Sequence, residues 1–395
     1  MSLQPTAKFI TLKDTQTIRR EMEKIGVDPA GMHIMQPKFQ FITFKISALP
    51  LKAALLLKQE MLSRGGEAAL PKEASMLALE KVDILLSGTK AQFKAVIKKL
   101  KAQPYGLARL ASLLDNMMAN NEKDNRSLMV GGHILPLGQR TLIMGILNVT
   151  PDSFADGGKY DRLDLALQHA KKMVEDGADI IDVGGESTRP GYKPISEEEE
   201  LFRVLPVIEN IKKELDVPVS IDSYKAPVVK GALEAGADMV NDTWGLKADE
   251  EMGAVASSFG VPVCLMHNKK VAVYEDLLTD IINDLWESVA LAQQAGISAE
   301  QIIIDPGIGF AKNLDENLEI MHRLEEFQTL GLPVLLGTSS KSMIGKTLNL
   351  PTEKRMEGTA ATVSLGIMKG AEIVRVHDVK EMKRVADMTD AMVRR

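Results

Sequence analysis

Eight short apolar runs in the C-terminal two-thirds of this chain each stop at polar residues, and that repeated change constrains the fold more than any bulk property. The runs are TLIMGILNV, DIIDVGG, VPVSIDS, ADMVNDT, VPVCLMHN, QIIIDPG, LPVLLGTSS and AEIVRVHDV. They are continuous rather than alternating, as parallel strands covered on both faces must be. Amphipathic helices fill most of the gaps, over a total of about 255 residues, the usual length of a barrel of eight βα units. The pattern therefore predicts an α/β fold, a (β/α)8 TIM barrel; an open doubly wound sheet does not need eight units. No G-x-G-x-x-G follows the first run, which argues against dinucleotide binding.

In such barrels the C-terminal strand ends and the loops after them carry the chemistry. Here the ends are Asn148, the segment Gly184 to Gly191 (GGESTRPG), Asp222, Asn241 with Asp242, Met266 with His267, Asp305, Ser339 to Ser342 around Lys341, and Arg375, His377 and Asp378. One polar end is ordinarily a turn or a cap. Eight on one rim point to a site. Asp222, Asn241 and Asp305 offer acceptors and an amide suited to a flat heterocycle with an amino-pyrimidinone edge, whose paired N–H donors meet a carboxylate. Lys341, Arg375 and His377 bring positive charge to strands seven and eight, where barrels often hold a phosphate. Asn148 is a neutral oxygen ligand of the kind Mg²⁺ accepts beside substrate phosphates. No paired Cys or His has zinc spacing. These residues by themselves predict a barrel enzyme that binds a heterocycle and a phosphate, and they name no reaction.

The chain of 395 residues is long enough for two domains. Residues 1–120 read as a smaller N-terminal α/β or α+β domain, with strands at 39–49 and 82–89 and helices at 14–25, 51–64, 90–101 and 105–118. Residues 121–130, in the polar stretch ANNEKDNRS, read as a linker, and 131–395 as the barrel. No motif in the first domain carries chemistry. A net charge of −6 argues against nucleic-acid binding by overall charge. Cys264 is the sole cysteine and sits in VPVCLM, which predicts a core thiol in a reducing compartment. MSLQPTAKFI lacks a signal-peptide layout and no apolar run approaches about 18 residues, so a cytoplasmic protein with no membrane partner is expected. The acidic run Ser196 to Glu200 reads as a capped helix start rather than a metal site. Asp242 and Asp378 either orient neighbours or close turns.

At the strand ends the sequence resembles a known family. MGILNVTPDSFADGG, GGESTRPG, SIDS, ND, IDPGIGFAK, GTSSKSMIG and EIVRVHDV occur in the order of the dihydropteroate synthases, from about Leu142 to the C-terminus. The resemblance implies a Mg²⁺-dependent transferase of folate biosynthesis. Such an enzyme joins 6-hydroxymethyl-7,8-dihydropterin diphosphate to 4-aminobenzoate, giving 7,8-dihydropteroate and diphosphate, with the diphosphate leaving first. It implies that Asp222, Asn241, Asp305 and Lys341 hold the pterin, with Met266 packed near it. Asn148, Arg375 and His377 would form the diphosphate site, Asn148 also binding the metal, with Thr188 on the diphosphate side. Arg189, Pro190, Phe310 and Ser342 would shape the aminobenzoate pocket, and Asp156 and Phe154 would close over the site with the loop 186–191. Asp156, Thr188, Arg189 and Lys341 are the implied catalytic residues. The final helix, 379–394, presents Val385, Met388 and Met392, and the resemblance implies a homodimer contact there.

The family carries Arg where this chain has Ser340, so one rim cation is absent, and Lys269 and Lys270 are candidates to replace its charge. The N-terminal domain is not part of the common enzyme. Two rivals are a pterin-binding methyltransferase acting from methyltetrahydrofolate to a corrinoid protein, and a non-catalytic pterin-binding relative. STRPG, SKSMIG and RVHDV, the diphosphate and aminobenzoate apparatus, favour the synthase.

Overall fold

The computed structural model describes residues 6–12, 14–120, 126–150, 159–186 and 194–394. The chain forms two compact units, Met1–Glu122 and Lys123–Arg395.

The first unit runs α1 (Thr15–Lys24), α2 (Pro29–Phe39), β1 (Phe41–Pro50), α3 (Leu51–Leu62), β2 (Glu67–Ala69), β3 (Lys81–Thr89), α4 (Lys90–Leu100) and α5 (Leu107–Asn120). Its three strands pair antiparallel in the order β1-β3-β2. Alternation decides which face is covered: Val82, Ile84 and Leu86 of β3 are buried, whereas Lys81, Asp83 and Leu85 are exposed. The buried face joins Leu57, Phe93, Val96, Leu107 and Leu114 from α3, α4 and α5 in one apolar cluster. Thr89 and Gln92 close a capping box at the start of α4, which is why the chain turns from strand to helix there without a loop.

The second unit opens with a hairpin, β4 (Arg126–Val130) and β5 (His133–Leu137), in antiparallel register. Residues 126–130, expected as the end of a linker, are therefore a strand. Leu128 and Val130 are buried while Met129 is exposed, an alternation obscured in the sequence by the polar residues before it. Eight parallel strands follow: β6 (Leu142–Asn148), β7 (Ile180–Gly184), β8 (Val219–Asp222), β9 (Met239–Asp242), β10 (Val263–Met266), β11 (Ile302–Asp305), β12 (Leu335–Leu336) and β13 (Ile373–Val376). Their order is β11-β10-β9-β8-β7-β6-β13-β12, and a parallel bridge between Ile304 and Val334 joins the two ends. This is the expected eight-stranded barrel.

Around it lie α6 (Lys159–Glu175), α7 (Glu197–Glu214), α8 (Ala226–Glu234), α9 (Met252–Phe259), α10 (Leu277–Gln294), α11 (Leu314–His322), α12 (Ser342–Leu348), α13 (Met356–Met368) and α14 (Val379–Val393). Ser196 Oγ accepts the Glu199 N–H at 3.2 Å, so the acidic run opens α7 as a cap. No helix among the described residues is long and apolar enough to cross a membrane.

The hairpin explains how one end of the barrel is shut. Leu128, Val130, Leu135 and Leu137 pack with Leu142, Ile180, Met239, Leu335 and Ile373, the first residues of five barrel strands. Cys264 lies in the same cluster, and burial raises its thiol pKa well above the usual value. The opposite end is left for the polar rim. Leu137 is 2% exposed, so Leu137→Ala is expected to cost about 2–5 kcal/mol. A chemical-denaturation midpoint equal to wild type would count against the plug.

Candidate active site

Strand register sets the rim. Asn148 pairs with Gly184, Gly184 with Asp222, and Asp222 with Asn241, so three strand ends and the penultimate residue of β9 stand at one level. Gly184 leaves room there: a Cβ at this position would lie 3.6 Å from Asn148 Oδ1 and 3.7 Å from Asp222 Oδ2. Above this level opens a pocket lined by Asp222, Asn241, Thr243, Met266, Asp305, Ile308, Phe310, Gly337, Lys341 and Arg375. Seven of these are expected site residues; Thr243, Ile308 and Gly337 come from the structure alone.

Electrostatics at the centre turn on Arg375. Its Nε donates to Asp182 Oδ2 at 2.6 Å and its Nη2 to Asp222 Oδ2 at 2.5 Å. Asn241 Nδ2 also donates to Asp182 Oδ2, at 3.1 Å. Burial opposes the guanidinium's charge, but Asp182 and Asp222 more than offset it and raise its pKa. Burial raises Asp222 to about 7, with Arg375 pulling the other way. Lys341 keeps its ammonium 4.2 Å from the centre of the Phe310 ring, a cation–π contact. Burial, then the charge of Arg375, lowers the Lys341 pKa to about 8. Asp305 accepts the Gly307 N–H at 2.7 Å, and burial raises its pKa.

Asp182, wholly buried, was not among the expected residues. An acid inside the apolar run DIIDVGG was the available signal. Lys312 is a second addition: burial lowers its pKa to about 7, and it touches Gly307, Phe310 and His267. Within the expected segment after β7, Glu186 accepts from Tyr224 Oη at 2.9 Å, Lys225 Nζ at 2.7 Å and Ile195 N at 3.1 Å.

Three expected residues stand outside the pocket lining. Asn148 ends β6 with a side chain that makes no hydrogen bond among the described residues. His377 Nδ1 lies 3.0 Å from Ser339 Oγ. Ser342 is exposed as the first residue of α12. Phe154, Asp156, Thr188, Arg189 and Pro190 lie outside the described residues. Asp242 resolves as a turn residue, its carboxylate taking the N–H groups of Trp244 at 2.8 Å and Leu246 at 2.7 Å.

At Ser340, with φ 55°, the backbone carbonyl accepts from Arg355 Nη1 at 2.8 Å, so a guanidinium does stand there but is bound to the main chain. The lysines suggested as substitutes do not line the pocket. Lys269 pairs with Asp284 at 3.1 Å, and Lys270 is exposed.

The donor set bears on a metal. Among the described residues no three His, Cys, Asp or Glu gather into a metal site. Mg²⁺ held mainly by substrate phosphates needs few protein ligands, and the Asn148 amide at the end of β6 is a neutral oxygen donor.

Comparison with known proteins agrees in extent with this geometry. A family model described as pterin binding enzyme matches residues 144–377. Over 269 residues the chain is 57% identical to the dihydropteroate synthase of Clostridium beijerinckii, covering 68% of this chain and 100% of that protein. Over 255 residues it is 60% identical to the dihydropteroate synthase of Bacillus subtilis, covering 65% of this chain and 90% of that one. A crystal structure of dihydropteroate synthase from Clostridium difficile, solved in the presence of pteroic acid, matches with TM-score 0.65 and 53% identity, covering 66% of this chain and 99% of that chain.

Proposed function

The chain belongs to the pterin binding enzyme family and, within it, to the dihydropteroate synthases; on that premise we infer that it joins 6-hydroxymethyl-7,8-dihydropterin diphosphate to 4-aminobenzoate, forming 7,8-dihydropteroate and diphosphate. The observation that carries the reading is one pocket in which Asp222, Asn241 and Asp305 stand beside Lys341 and Arg375. The carboxylates accept the paired N–H donors of the pterin edge, and Asn241 and Met266 complete that side. Arg375 uses Nε and Nη2 on Asp182 and Asp222, which leaves Nη1 for the departing diphosphate. His377 and Lys341 add donors on the same side of the rim.

The C–O bond at the exocyclic methylene breaks first, leaving a cation stabilised by the pterin ring; the aniline nitrogen then forms the C–N bond and loses a proton. Fixed donors aimed at the departing charge are the chain's main contribution. Asn148 is the residue that would hold Mg²⁺, which when bound offsets the charge of the diphosphate. Thr188 is assigned to the diphosphate side, and the loop 186–191 to closure over the site. Arg189, Pro190, Phe310 and Ser342 are assigned to the aminobenzoate, and Asp156 to closure over the site.

A cytoplasmic location fits the single buried thiol. A homodimer through α14 is supported by the exposed Met388 and Met392 on that helix, whereas Val385 packs against the barrel core.

Release of diphosphate from the two substrates tests the reading. The barrel unit, Lys123–Arg395, is expected to turn over by itself, because all the assigned residues lie within it. No diphosphate from the full chain, with tight pterin binding retained, would sink the synthase reading in favour of a non-catalytic one. A folded but inactive barrel unit beside an active full chain would mean that the first unit takes part.

A further inference from the structure

One lysine holds the loop that follows β11. Lys312 Nζ donates to the carbonyls of Gly307 at 3.0 Å and Phe310 at 3.0 Å, and lies 2.8 Å from His267 Nδ1. An ammonium has three N–H donors and no acceptor, so these contacts use all of it. His267 accepts at Nδ1 as the neutral ring, with Nε2 3.2 Å from Asp284 Oδ2. Asp284 is in turn paired with Lys269 at 3.1 Å. The run Asp284–His267–Lys312 therefore fixes each donor's direction and ends on two backbone carbonyls.

Those carbonyls belong to a pocket wall. Gly307 has φ +72°, and a Cβ there would sit 2.1 Å from the His267 carbonyl oxygen, so the loop lies hard against the end of β10. Phe310 N donates to Gly307 O at 3.1 Å, and Gly309 N to Asn317 Oδ1 at 2.6 Å. Ile308 and Phe310 face the pocket, and the Phe310 ring meets the Lys341 ammonium; Lys312 does not line the pocket.

We propose that Lys312 is a positioning residue of the synthase site: by binding the Gly307 and Phe310 carbonyls it fixes the Phe310 ring beside Lys341, and so sets the aminobenzoate side of the pocket. This rests on the functional reading above, in which Phe310 belongs to that side.

The test is steady-state kinetics on the full chain with both substrates. Lys312→Met is expected to raise the KM for 4-aminobenzoate about tenfold, while the KM for the dihydropterin diphosphate changes by less than about threefold. In a Phe310→Leu background the same change is expected to shrink to about twofold, because its effect passes through that ring. If K312M does not fold by thermal unfolding, K312Q replaces it in the same cycle. A folded variant with both KM values unaltered overturns the inference, as does a penalty of equal size in the F310L background. Inactive wild type overturns the functional reading and this one together; active wild type with an unaffected variant overturns this one alone.

Discussion

Asp222→Asn is expected to weaken pterin binding about a hundredfold while leaving the barrel folded. The carboxylate has two oxygens with room for several donors, and one of them already takes Arg375 Nη2 at 2.5 Å. An amide has a single acceptor oxygen. If Arg375 keeps that oxygen, the new NH₂ group faces the pterin's own N–H donors. Hydrogen bonds to charged groups contribute about 1.5–3 kcal/mol each, so losing a charge-assisted pair with this geometry corresponds to about two decades in Kd. Calorimetric titration with pteroic acid measures it, and an unchanged Kd would refute the role.

The same residue sets a pH dependence. Burial raises Asp222 to about 7 in the free protein, against the pull of Arg375. Only the deprotonated form offers both oxygens as acceptors, and that form prevails above this value. Wild-type affinity should therefore weaken toward tenfold per unit as the pH falls below this pKa, while Lys341, lowered to about 8, sets a separate loss of charge on the alkaline side. The Asn variant, with nothing to titrate at this position, should lack that fall below about pH 7. A wild-type curve that is also flat there would show that Asp222 meets the ligand in some other way.

The barrel and most of the pocket were legible because two signals coincide. Continuous apolar runs mark buried parallel strands, and their polar stops mark the rim. The level formed by Asn148, Gly184, Asp222 and Asn241 follows once those stops are aligned. What escaped has physical causes. Asp182 lies two residues before the end of β7, so attention to strand ends passes over it, and its partner Arg375 comes from the far end of the chain. Lys312 sits within IDPGIGFAK, yet a lysine's direction is not written in its sequence; here it turns to main-chain carbonyls. Residues 126–130 looked polar by association with the stretch before them, although their own alternation is that of a strand. In the sequence, Lys269 and Lys270 read as charge near the rim. Charge in sequence does not distinguish a free cation from one already paired with Asp284.

Arg375→Met is expected to give the largest loss, and it separates stability from catalysis. The guanidinium is 17% exposed and bridges Asp182, with side-chain exposure of 0%, and Asp222, with 11%. Removing it leaves two neighbouring carboxylates, with the Asn241 amide still bound to Asp182. Breaking a buried ion pair from one side costs about 3–5 kcal/mol, which for a domain of this size lowers Tm by roughly 6–15 °C. Burial already raises Asp222 to about 7 against the pull of Arg375, and the variant removes that pull. The share of the deficit that Asp222 carries should therefore be full above its folded-state pKa and shrink as the pH falls toward the unfolded carboxylate range near about 4. Arg375→Met combined with Asp182→Asn removes one of the two stranded charges and should recover much of the lost Tm at pH 8. Turnover should not recover with it. The donor aimed at the leaving diphosphate is still missing, and losing one such donor costs about a hundredfold to a thousandfold in kcat. Thermal melts of both variants across pH, beside diphosphate release, check each part. A single variant that melts like wild type at pH 8 would remove Arg375 from the stability argument, and a double variant that regains turnover would remove it from the catalytic one.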